Sequence, residues 1–96
     1  MSHFIRLRGF WTVTPADGGR VRHARRFGKP TNLGAGETVW LVGGAGTVLL
    51  NGEPVGGFPV EVTSRLLPRN DVAVELPADA PLSEVGLEVR PGPGER

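Results

Sequence analysis

Apolar side chains recur at alternate positions through most of this chain, the period of a strand with one buried face. In FIRLRGFWTV, Ile5, Leu7, Trp11 and Val13 share one parity, with Arg6, Arg8 and Thr12 on the other. Gly9 falls mid-run, where a bulge or a close approach of backbone is expected. PADGG at 15–19 predicts a turn, because Asp-Gly tolerates positive φ. TVWLV (38–42) and TVLL (47–50) are short, rich in β-branched residues and bounded by glycine, so they predict buried strands rather than helices. Asn51-Gly52, set between Val48-Leu49-Leu50 and Pro54-Val55, predicts a tight hairpin.

After the Gly56-Gly57 turn, FPVEVT places Phe58, Val60 and Val62 inward. Pro59 lacks an N–H and marks an edge or non-bonded position. SRLLPRN breaks the alternation; Thr63 or Ser64 is expected to cap a single helical turn that Pro68 stops. Val72, Val74 and Leu76, then Val85, Leu87 and Val89, restore it on either side of PADAP. The sum is about seven or eight short strands, with no helix longer than about two turns. This is an all-β pattern, an antiparallel sandwich or small barrel, whose order alone leaves immunoglobulin-like, jelly-roll and oligonucleotide-binding topologies open. A single domain over 1–90 is expected, with PGPGER (91–96) as a flexible Gly/Pro tail.

Composition narrows the chemistry. With 39% hydrophobic residues, 15 Gly and 9 Pro, the chain is too apolar for disorder and too rich in turn formers for a helical bundle. It has no cysteine, hence neither disulfides nor thiolate metal ligands. No apolar run approaches the length of a membrane span, and MSHFIRLRGF lacks the apolar stretch of a signal peptide, so a soluble, cytoplasmic chain without a membrane partner is expected.

The net charge of +1 conceals a split: residues 1–30 carry seven basic side chains against Asp17, and the remainder four arginines against nine acids. Five of the basic residues crowd into RVRHARRFGKP at 20–30. Such a split belongs either to a polyanion site or to basic strands paired with acidic ones across a sheet.

At 46–76 the sequence reads GTVLLNGEPVGGFPVEVTSRLLPRNDVAVEL. Val48, Leu50, Asn51, Gly52, Val55 and Gly56 fit a V-x-L-N-G-x-x-V-G pattern. Phe58, Val60, Val62, Thr63, Leu66 and Leu67 match an F-x-V-x-V-T-x-x-L segment, and Asn70, Val72 and Val74 fit N-x-V-x-V. Upstream, RGFW is similar to an opening Gly-x-Trp strand, and RRFGKPTNL followed by GETVWL to an R-x-F-x-x-P and E-x-V-W-L pair. Over about residues 7–90 the chain thus resembles the jelly-roll, galactose-binding-like sugar-binding domain of family-two glycoside hydrolases, the β-galactosidase and β-glucuronidase class. The resemblance implies a jelly-roll sandwich and a carbohydrate-binding or accessory role. It implies no catalysis, since the carboxylates of those enzymes lie on a separate barrel domain that this chain lacks. The short GGAG and GEPVGG also stand where family members carry extended loops.

The residues themselves point the same way. The acids fall on outward parities or in turns, without the opposed pair that glycoside hydrolysis needs. His3 and His23 have no second ligand at metal-like spacing, and no cofactor or nucleophile motif is present, so a non-enzyme without metal or cofactor is expected. Asn70 is expected to bond its own backbone where a loop enters a strand. Trp11 is assigned to the core by parity. Trp40, in an all-apolar strand, is assigned to packing but remains a ligand candidate together with Asn32 and Arg25.

The expected partners are a carbohydrate, a second copy of the chain or another protein. Nucleic acid is disfavoured, because Phe27 is the only aromatic within the basic stretch to offer a stacking surface. Arg25 or Arg26 is expected to be fixed by an acid on the neighbouring strand.

Overall fold

The computed structural model describes residues 3–91. Within them the chain forms nine strands: β1 (His3–Arg6), β2 (Thr12–Ala16), β3 (Arg20–Gly28), β4 (Thr38–Val42), β5 (Thr47–Leu50), β6 (Glu53–Gly56), β7 (Val60–Glu61), β8 (Arg69–Pro77) and β9 (Gly86–Arg90). The only helical segments among the described residues are 3₁₀ turns at Asp17–Gly19 and Thr63–Arg65. No helix there is long and apolar enough to cross a membrane. Apart from Pro91, the tail at 91–96 lies outside the described residues.

The strands build two antiparallel sheets, a four-stranded one in the order β1-β9-β4-β7 and a five-stranded one in the order β2-β3-β8-β5-β6. The chain changes sheet after β1, β3, β4, β6, β7 and β8, and stays within a sheet only at the β2–β3 and β5–β6 hairpins. With β2 set aside as an added edge, this alternation is that of a jelly roll. Alternating side chains from the two inner faces make the core: Val39, Leu41 and Leu87 from one sheet meet Val48, Leu50, Val72 and Val74 from the other, all nearly inaccessible to solvent.

The Asn51-Gly52 hairpin forms as predicted. Leu50 pairs with Glu53 across it, and both turn residues have positive φ, 52° and 84°. Because the space around Gly52 is open, Gly52→Ala tests the backbone alone. A loss of roughly 1–2 kcal/mol is expected in urea denaturation, the cost of holding a Cβ in the left-handed region.

The N-terminal run departs from its predicted single strand. Gly9 (φ 72°) and Phe10 (φ 62°) turn a corner that carries the chain from the four-stranded to the five-stranded sheet, splitting the run into β1 and β2. Leu7 stays buried and Trp11 packs half-buried against the core, its Nε1–H donating to the Leu7 carbonyl at 3.0 Å. Val13, on the uncovered edge strand, is 57% exposed.

The helical turn after β7 also differs from expectation. Val62 is its N-cap residue and no side chain caps it. The Thr63 hydroxyl instead accepts from the Val39 N–H at 2.8 Å and donates to the Glu61 carboxylate at 2.9 Å, tying β7 to β4.

Asn70 bonds not its own backbone but that of Leu67. Its Oδ1 accepts from the Leu67 N–H (2.9 Å) and from Asn51 Nδ2 (3.1 Å), and its Nδ2 donates to the Leu67 carbonyl (2.8 Å). Asn51 in turn accepts from the Asp71 N–H through its side chain. These amides lock the β5–β6 hairpin onto the start of β8 and build the fold.

Candidate functional site

The segment from Lys29 to Glu37 leaves β3 and closes over one end of the sandwich. The Lys29 N–H donates to the Pro68 carbonyl at 3.1 Å, anchoring its start. At its far end Glu37 Oε1 accepts from the Gly34 N–H, while the Gly34 carbonyl accepts from the Glu37 N–H at 3.1 Å. Asn32 lies between with φ 61°, a left-handed conformation that asparagine tolerates better than most residues.

Beneath this loop lies a cleft of about 480 Å³. Ile5 and Val89, from the inner face of the four-stranded sheet, give it an apolar floor together with Pro30 and Leu33. His3, Lys29, Thr31, Asn32 and Glu37 form its polar margin. Glu37 holds the loop; among the described residues, the side chains of Lys29, Thr31 and Asn32 make no hydrogen bond to the rest of the chain. The cleft therefore offers donors and acceptors around an apolar surface, at a volume suited to a small ligand.

The basic stretch divides by strand parity. On the outer face of the five-stranded sheet, Arg22 stands opposite Glu75 and bonds it (Nε to Oε2, 2.9 Å), and Arg26 stands opposite Asp71 at 3.4 Å. Two of the basic side chains of residues 1–30 thus lie against the acids of β8, and the exposed Arg26–Asp71 pair is worth roughly 0.2–1 kcal/mol.

Arg25 occupies the inner row beside Val72, under the β1–β2 corner. Of the two arginines expected to meet an acid on the neighbouring strand, Arg26 does so and Arg25 does not. Its guanidinium donates to three carbonyls, those of Arg8 (2.8 Å), Gly9 (3.0 Å) and Arg26 (3.0 Å), and lies 5.9 Å from the centre of the Phe10 ring.

Trp40 is corrected from core to surface. Its neighbours Val39 and Leu41 face inward, so Trp40 stands on the outer face of the four-stranded sheet, half-buried. Arg90 covers its ring at 4.2 Å, and Nε1 donates to Thr38 Oγ1 at 3.0 Å. Phe27 is buried at 7% exposure and presents no stacking surface. The three sequence candidates do not converge: Asn32 lines the end cleft, Arg25 sits under the corner, and Trp40 lies on the opposite sheet.

No family model, curated protein or solved structure matches this chain. Its chemistry is read from its own geometry. Among the described residues no group of three or more His, Asp or Glu side chains is placed to hold a metal ion. Several carboxylates serve the fold: Glu84 pairs with Arg6 and Arg8, Glu75 with Arg22, and Glu88 with Arg90.

Sequence reasoning passed over His3, Lys29, Thr31 and Glu37, because the fold alone brings the β3–β4 loop over β1 and β9. It also passed over Phe10, an aromatic on the polar parity of its run, which was a legible sign of a residue turned outward.

Proposed function

We propose that this domain is a non-catalytic carbohydrate-binding module whose ligand enters the end cleft. The observation that carries this reading is the cleft's margin of uncommitted polar side chains, Lys29, Thr31 and Asn32, around the apolar floor of Ile5, Leu33 and Val89. A sugar ring presents the complementary surface, hydroxyls at its rim and C–H groups on its faces. The Asn32 amide can donate and accept, the Lys29 ammonium donates, and the Thr31 hydroxyl does both. The resemblance to the sugar-binding domain of family-two glycoside hydrolases supports the same class of ligand. Several acids are held by arginines, which favours binding without turnover.

A glycan array followed by calorimetric titration of the best-retained sugar tests the reading. Asn32→Gly keeps the left-handed backbone and removes the amide, and it is expected to weaken binding by about tenfold, the loss of one or two hydrogen bonds. Retention of no glycan, or binding that neither Asn32→Gly nor Lys29→Ala alters, would exclude the cleft as a sugar site.

A further inference from the structure

The β1–β2 corner does more than transfer the chain between sheets. It holds Phe10 89% exposed, in a left-handed conformation that a bulky residue rarely adopts. The ring is backed by the Arg25 guanidinium, itself fixed by three carbonyls and in no ion pair among the described residues. Beside it a shallow depression runs across Thr12 and Ala24 to Arg26 and Asp71. A second, of about 460 Å³, continues past Gly28 and Pro68 to Arg69, which has no ion-pair partner among the described residues. Arg25 and Arg26 therefore line one depression with the exposed ring and Arg69 lies farther along the second, while Asp71, the one acid lining these depressions, stands 3.4 Å from Arg26 in an exposed pair that a phosphate can replace.

We propose that this corner is a docking site for single-stranded nucleic acid, separate from the end cleft. One base stacks on the free face of Phe10, and the phosphates on either side meet Arg25, Arg26 and Arg69. An aromatic platform beside a basic groove is the arrangement that single strands need, because stacking accepts any base while the cations follow the backbone. The basic stretch by itself lacked the platform; the fold supplies it from ten residues upstream of Arg20. A duplex keeps its base faces stacked and is a poorer ligand. An acidic peptide would satisfy the guanidiniums but leave the ring unused.

Fluorescence anisotropy with a labelled oligothymidine of about ten nucleotides tests this, beside a duplex of the same length and a labelled polyglutamate peptide. The wild type is expected to bind the single strand more tightly than either competitor, with affinity falling steeply between about 50 and 200 mM salt. Phe10→Gly suits the positive φ and removes the ring; it is expected to weaken single-strand binding by about tenfold while leaving the thermal midpoint unchanged. Arg69→Ala, on an exposed side chain, is expected to lower the salt dependence by about 0.7 in the logarithmic slope. Absence of oligothymidine binding at the lower salt overturns the proposal. Equal affinity of wild type and Phe10→Gly overturns it as well, and tighter capture of polyglutamate assigns the patch to an acidic protein instead. Should Phe10→Gly fail to fold, the Arg69→Ala slope and the preference for single strand over duplex still decide.

Discussion

Asn70→Ala is expected to lower the free energy of unfolding by about 3 kcal/mol in urea denaturation, a large share of the margin by which a small domain is stable. Asn70 is 2% exposed, the one polar residue buried among the described residues, and its amide answers three partners. Truncation leaves the Leu67 N–H and carbonyl without their side-chain partner at a part-buried site, and unmade buried bonds cost more than made ones contribute. Asn51 loses the amide that holds the hairpin to β8, so exchange should accelerate at the Asn51 N–H, which donates to the Asp71 carbonyl, and at the Asp71 N–H, which donates to Asn51 Oδ1, each at 2.8 Å.

Asn70→Asp separates size from chemistry. Its carboxylate can still accept from Leu67 N–H but faces the Leu67 carbonyl with no proton to donate. It should be destabilised near neutral pH and recover part of the loss on acidification, when the protonated acid can donate again. A loss below about 0.5 kcal/mol for Asn70→Ala, the size of an ordinary surface change, would show that the amide network is incidental.

Phe27→Ala is expected to be at least as damaging, by about 3–4 kcal/mol. The ring lies inward at 7% exposure, in register with Asn70 on β8, and no other large side chain of β3 reaches the core at that end. Deletion removes a whole aromatic from a thin core, and the strand framework, in register with β8 over nine residue pairs, cannot collapse freely into the gap. Thermal denaturation by circular dichroism should show a much lower midpoint. Phe27→Leu, which fills most of the volume, should recover more than half of the loss. A near-native midpoint for Phe27→Ala would place the ring at the surface and return it to consideration as a stacking residue.

Legibility in the sequence followed the alternation. In β8 and β9, Val72, Val74, Leu76, Leu87 and Val89 alternate with polar or small residues, and the parity assigned to each is the face it occupies. Asn51-Gly52 likewise announced its turn through local chemistry alone. Where parity carried no information, assignment drifted. TVWLV is apolar at almost every position, so nothing local says that Trp40 and not Leu41 faces out; the pairing with β9 and β7 decides. In RVRHARRFG the polar residues occupy both parities, which hid Arg25 in the inner row. The Gly9-Phe10 corner reset the alternation between β1 and β2 within one apparently continuous run. The end cleft is purely tertiary, made by a loop after β3 lying against the first and last strands.

That first and last strands are neighbours has a consequence for engineering. His3 stands in register with Val89, so the two ends of the described chain leave the sandwich side by side. A chain with abutting ends can be closed by a short linker and reopened elsewhere, and the exposed turn at Asp17–Gly19 is the natural place to cut, since it joins two paired strands and buries nothing. The same closeness suits the domain to insertion into a loop of a host protein, with the end cleft, lined by His3 and Val89, lying at the junction.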